Sequence, residues 1–590
     1  MTDLRVDEEL VLAEPPDRIP ALGSQATGLA LVGAAKDAPF LVEGARAAAV
    51  GTRHGSLDRV VIGSSTVASA LEADGAPVNL VLAPGMVRRE LVGRSGTRLE
   101  TVVVAPTLPL VAVQWASPAR PAPLTLSLTV LPGARAARYR IGRGSVAFAG
   151  EGRDRGVVVG VTPAPSGWSV TEAPSGGARV TVQIEATHTV TLLVSAGEAE
   201  AVRAAFAASA HLTAHARRAA EGVPEGLTVS TGSSDVDAAV PWLRTRLRTA
   251  LLRTPRSEMG DRAVREDVFW GGLGAVAASD SEGAARALEL LEAGQDDSRA
   301  AVLAARIALA FGEQAAAVRH ARALLGAGRE TRSEREAAMR SLALEALADA
   351  LRHAAPESGI AELRSAAARA APATRRRLTV VGAGPPTAFA SWLGRALRGE
   401  ATEEGRERSG HGTTDAALAA WAAFREDPDL AWTAWAIHVS RGLRGAAGPG
   451  TWEPLTPALR APARTAGALM AALAHGFLRL APDAPVGRLR LGPCVGTELK
   501  RFRVDGIALG RSRVRLDYDR EGACHRFTLN ATAARVPPVV VLEPVVRGRV
   551  TSTRVDGAPA DLDRVEDGAS TRVPVQLSVD AERTVEVFVA

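Results

Sequence analysis

The hydrophobic period changes twice along the chain, and that change limits the possible architecture more than any single motif. Up to about residue 200, short apolar runs such as RLETVVVA, LPLVAVQWA, PLTLSLTVL, RGVVVGVT, ARVTVQIEA and HTVTLLVSA recur between Gly, Pro and Ser. Runs of this length, separated by turn residues, predict the strands of a large antiparallel β-sandwich. In LTLSLTV the period is two, so Leu124, Leu126, Leu128 and Val130 share one face of a strand. From Ala196 to Gly222 the period turns helical, and 201–232 is expected as a helical linker. Residues 233–481 then supply helix after helix. Alternation returns over 482–590, in RLRLGP, FRVDGIAL, SRVRLDYD, HRFTLNAT, VPVQLSV and RTVEVFVA, and predicts a second, smaller β-sandwich.

The helical region reads in pairs, with short breaks at Ser279-Asp280, Phe311-Gly312, Ala355-Pro356 and Asp427-Pro428. Pairs of roughly 30 to 45 residues are the size of stacked helical hairpins. About a dozen helices in such pairs fit an open solenoid or a closed toroid of six hairpins. The uneven period and the flanking β regions favour the toroid. The expected fold is therefore multidomain α and β: an N-terminal antiparallel β-sandwich (1–200), the linker, a central (α/α)6 toroid (233–481) and a C-terminal β-sandwich (482–590).

Charge narrows the partners. The net charge is +5, and Lys36 and Lys500 are the only lysines. The arginines are spread along the chain among nearly as many acids, so no basic stripe marks a nucleic-acid surface. The N-terminal MTDLRVDEELVLAEPPDR carries acids early and has no apolar core, unlike a secretory signal, and no run is long enough for a membrane span. A cytoplasmic location without a membrane or nucleic-acid partner is expected; oligomeric state is not written in the pattern. Cys494 and Cys524 have no metal-type spacing. They read as two buried thiols, with a single bridge as the alternative, and neither a metal nor a cofactor is expected. VVGAGPPTA, from Val380 to Ala388, starts like a dinucleotide fingerprint but lacks the third glycine and reads as a turn.

The strongest local signal is RSEMGDRAVREDVFWGG, from Arg256 to Gly272, where acids and arginines run into Val268-Phe269-Trp270. Debranching-type glucosidases have a Trp-Gly-Arg-Asp-Thr-Phe segment that enters a helix, followed by Gly-Leu and Ala-Arg-x-x-Leu. Here Arg265-Glu266-Asp267-Val268-Phe269-Trp270 precedes Gly272-Leu273 and Ala285-Arg286-Ala287-Leu288. SGHGTTDAALAAW is similar to a His-containing Gly-Thr segment of that group, and TWEPL places Glu453 shortly before the final helix. Together with the domain order, these residues resemble the six-hairpin glycosidases: bacterial glucoamylases, amylo-α-1,6-glucosidases and related inverting phosphorylases. The chain departs from them where Glu266 replaces an Arg, and where the stretch between Leu378 and Gly410 lacks long aromatic loops.

The resemblance implies a carbohydrate substrate or ligand and hydrolysis of an α-glucosidic bond by inversion. Inversion needs a carboxylic acid and a water-activating carboxylate roughly 6.5 to 9.5 Å apart. Asp267 or Glu266, with Glu453, would form that pair, and Trp270, His411, Trp452 and Asp297 would contact the sugar. Each position also has a plain alternative. Glu266 and Asp267 suit a first helical turn, and Asp296, Asp297 and Asp415 suit helix caps. Trp421, Trp432 and Trp435 suit core packing. A glycosidase-like scaffold that binds a glycan or protein without turnover, or an inverting phosphorylase, stays open.

Overall fold

The computed structural model describes residues 10–353, 413–444 and 462–590, apart from short internal stretches, and a short strand at Arg5–Val6. The chain divides into two compact units, Met1–Pro224 with Gly442–Ala461 and Glu225–Arg441 with Pro462–Ala590.

In the first unit the period-two runs pair into a ten-stranded and a seven-stranded sheet. The leucine alternation holds: Leu124, Leu126, Leu128 and Val130 are all buried on the strand Ala122–Val130. The segment expected as a linker is two helices, α1 (Ala199–Ala208) and α2 (Leu212–Glu221). Their apolar faces, with Val202, Phe206, Leu212 and Ala216, share a core with Met86, Val103, Leu110 and Leu193 of the larger sheet. Gly160 makes room for this, since a Cβ there would lie 2.5 Å from the Phe206 ring. The opposite side chains of that sheet carry a polar core. Glu100 accepts from Arg89 Nε at 2.7 Å and from Trp115 Nε1 at 3.0 Å. Arg89 Nη1 donates to the Thr52 carbonyl of the smaller sheet at 2.8 Å.

The second unit holds α3 (Ser234–Arg253), α4 (Arg262–Ala277), α5 (Ser281–Ala293), α6 (Asp297–Phe311), α7 (Gln314–Gly326) and α8 (Glu334–Ala350). Among the described residues α9 (Thr413–Ala423), α10 (Pro428–Arg444) and α11 (Ala463–Ala471) follow, and Ala472–Phe477 continues α11 as a π-helical turn. Ser233 precedes α3 without a side-chain cap bond. The Asp237 carboxylate reaches back from inside α3 and accepts from the backbone N–H of Thr231 and Gly232. At the α4–α5 break Asp280 caps α5 by accepting from Gly283 N at 3.0 Å.

The C-terminal strands form one seven-stranded and two four-stranded sheets. Alternation suggested a β-sandwich without fixing strand direction, and Arg488–Leu491 pairs in parallel with Val539–Leu542. The edge strand Thr228–Ser230 comes from before the helices and pairs with Arg503–Asp505; three residues are too few to show a period. A run of aromatic rings joins helices to sheet: Trp435, Trp432, Phe477, Phe502, Tyr518 and Phe527 follow one another at centroid spacings of 5.4, 4.8, 5.2, 5.0 and 5.0 Å. Cys494 and Cys524 are both free thiols; Cys494 is buried as expected, whereas Cys524 is only partly buried.

Candidate functional site

The stretch that drew attention in the sequence is a 3-10 turn, Arg256–Gly260, followed by α4. Asp261 starts the helix by accepting from Ala263 N at 2.7 Å. Arg265 Nη1 folds back onto the carbonyls of Met259 and Gly260, at 2.8 Å each. The helix therefore begins one turn earlier than the sequence suggested. Glu266 and Asp267 sit in its second turn, where the helix dipole is no longer the reason for their charge.

Beyond them, α4 meets α11 along a seam of glycines. A Cβ at Gly467 would lie 2.1 Å from the Trp270 carbonyl oxygen. One at Gly274 would lie 2.4 Å from Gly467 Cα, and one at Gly271 2.7 Å from Ala463 Cβ. Only backbones without side chains can approach so closely, which gives FWGGLG its physical meaning. On the other side of α4, Gly272 faces Leu303 of α6, and the Arg299 guanidinium lies 5.9 Å from the Phe269 ring centroid. Along α4 and α6 the contacts climb together, from Phe269 and Arg299 to Gly272 and Leu303, so the two helices run parallel.

The start of the seam is polar. Pro462 precedes α11 and offers no side-chain cap. Asp267 supplies the cap from the neighbouring helix: its Oδ1 accepts from Arg464 N at 2.8 Å. Glu266 Oε1 lies 3.6 Å from Arg464 Nη2, with the two side chains 24% and 33% exposed. A partly exposed carboxylate and guanidinium thus stand beside a part-buried backbone contact.

Other sequence candidates are placed separately. Trp270 is buried in the seam and Asp297 is the exposed first residue of α6. His411, Trp452, Glu453 and Asp296 lie outside the described residues, and Asp415 lies within α9. Trp421 and Trp435 are buried in the core, and the half-buried Trp432 packs against Trp435 and Phe477. Trp435 Nε1 donates to the Leu469 carbonyl at 3.0 Å, and Trp421 stacks on His475 with centroids 5.7 Å apart. His475, on the π-helical turn, contacts the Leu480 carbonyl through Nδ1 at 2.9 Å. Burial, assisted by Arg306, holds its pKa down to about 3, so the ring is neutral and Nδ1–H is the donor. Among the described residues no group of His, Cys, Asp and Glu is arranged to hold a metal, and no helix is long and apolar enough to cross a membrane.

Sequence reasoning passed over Arg464 and Gly467. A cation in the first turn of a helix with no acid of its own was the available signal, because the dipole disfavours positive charge there.

Two solved glycosidases are similar to the chain. An α-L-rhamnosidase from Dictyoglumus thermophilum superposes with a TM-score of 0.44 at 8% identity, covering 83% of this chain and 73% of that one. A β-L-arabinofuranosidase from Geobacillus stearothermophilus T6 gives a TM-score of 0.18 at 10% identity, covering 59% of this chain and 75% of that one. No family model and no curated protein matches the sequence.

Proposed function

We propose that the chain is a carbohydrate-active protein whose helical region is a six-hairpin toroid, with the α4–α11 seam at the end that meets a sugar. The observation that carries this reading is the meeting of the first and last inward helices. α4 touches α6 on one side and α11, the last described helix, on the other, with α3 and α5 beside it. A ring closes in this way, whereas an open solenoid keeps its ends apart. The finer reading is hydrolysis of an α-glucosidic bond by inversion, with Asp267 or Glu266 and Glu453 as the carboxyl pair. Turnover assays on maltose, isomalto-oligosaccharides and glycogen test it: wild type releases glucose, and both Asp267→Asn and Glu453→Gln abolish release while melting as wild type does. Absence of release by wild type removes the hydrolase reading.

One observation favours the second reading, a glycan-binding scaffold without turnover. Asp267 already spends one oxygen on the α11 cap. On that reading glycogen binds to wild type by affinity electrophoresis, and no sugar is released.

A further inference from the structure

We infer that Arg464 is a positioning residue that holds Glu266 and Asp267 in one arrangement at the mouth of the seam; the inference rests on the carbohydrate reading above. Adjacent residues of a helix point about 100° apart, so Glu266 and Asp267 do not converge by virtue of α4 alone. Both nevertheless meet residue 464. Its backbone N–H is bound by Asp267 Oδ1 at 2.8 Å, and its guanidinium stands 3.6 Å from Glu266 Oε1. The position is an unfavourable place for an arginine. It lies in the first turn of α11, which has no acid of its own and no cap from its own N-cap residue, Pro462. A cation there meets the positive end of the helix dipole, and α4 offsets that cost with its two acids.

The glycine seam makes the arrangement reproducible. With Gly467 against Trp270 and Gly274 against Gly467, α11 has almost no freedom to slide along α4. The register of residue 464 to residues 266 and 267 is thereby set by backbone contact rather than by flexible side chains. Arg464 thus links a rigid helix pair to the half-exposed carboxylate of Glu266.

The two contacts of Arg464 separate by mutation. Arg464→Ala keeps the N–H that caps on Asp267 and removes only the guanidinium; Arg464→Lys returns the charge without the fork. Glu266→Gln removes the partner. The probes are maltotriose by calorimetry and glycogen by affinity electrophoresis, with melting temperature recorded for each protein. Arg464→Ala is expected to weaken binding by about tenfold, a charge-assisted contact's share, with Arg464→Lys recovering part of it. In the Glu266→Gln background Arg464→Ala adds little, because the arginine acts through the glutamate. Wild-type binding that Arg464→Ala leaves unchanged overturns the positioning role alone. So do additive losses in the double mutant, or a binding loss that follows the melting temperature. A wild type that binds neither probe overturns the carbohydrate reading, and this inference with it.

Discussion

Two arginine–glutamate pairs, one in each unit, show how burial decides what a charge is for. Arg89 and Glu100 lie inside the N-terminal sandwich, with side chains 2% and 6% exposed. They also contact Trp115, Thr52 and the Phe40 ring. That pair is enclosed by its own partners and ties one sheet to the other. Arg464 and Glu266 are further apart, several times more exposed, and stand beside a helix start. Their mutual attraction is screened and worth little to stability. The first pair is architecture. The second is the pair whose groups water still reaches.

Breaking the enclosed pair should have the largest effect. Glu100→Ala leaves the Arg89 guanidinium buried without its carboxylate, and a loss of about 3 to 5 kcal/mol in urea unfolding is expected. A variant that unfolds like wild type would show that Arg89 finds another acceptor and that the contrast is overstated. Next comes the seam that supports the exposed pair. Gly467→Ala forces a methyl against the Trp270 carbonyl, and overpacking there should cost about 3 kcal/mol and displace Arg464 from Asp267. Glycan binding should fall with it, whereas Glu100→Ala, once refolded, should leave the affinity per folded molecule unchanged.

Acid should act on the second unit through its buried histidines. Burial holds His475 down to about 3 and His525 to about 4, with Arg306 and Arg520 adding to the effect. His525 Nδ1 lies 3.0 Å from the Tyr518 hydroxyl. Above the ordinary value of 6.5 both folded and unfolded forms are neutral, and the full stability is present. As pH falls from 6.5 toward 4, the unfolded chain takes up protons that the folded chain refuses, so stability drops. His475→Gln should flatten the profile of melting temperature between pH 6.5 and 4. The smallest effect belongs to the exposed pair itself. Glu266→Gln should change stability by less than about 0.5 kcal/mol in the same unfolding assay.

Legibility in the sequence followed the range of the interaction. The Leu124 to Val130 alternation and the break at Ser279-Asp280 are local, and both stand in the structure as the sequence implied. Glu266 and Asp267 were visible as unusual, since acids directly before Val268-Phe269-Trp270 break the helical rhythm. Their partner was not visible, because Arg464 lies almost two hundred positions away and looks like one arginine among many. Thr228–Ser230 was invisible for a similar reason: its only claim to be a strand is its pairing with Arg503–Asp505.

The sequence by itself determined where the longer strands and helices lie, because the two backbone periods require side chains to repeat at two or at three and four. It also placed glycines at 271, 274 and 467 without saying what they were for. Tertiary structure alone decided that those glycines face one another, that Asp267 caps a helix other than its own, and that Glu266 meets Arg464. These are contacts between distant parts of the chain, and no local preference encodes them.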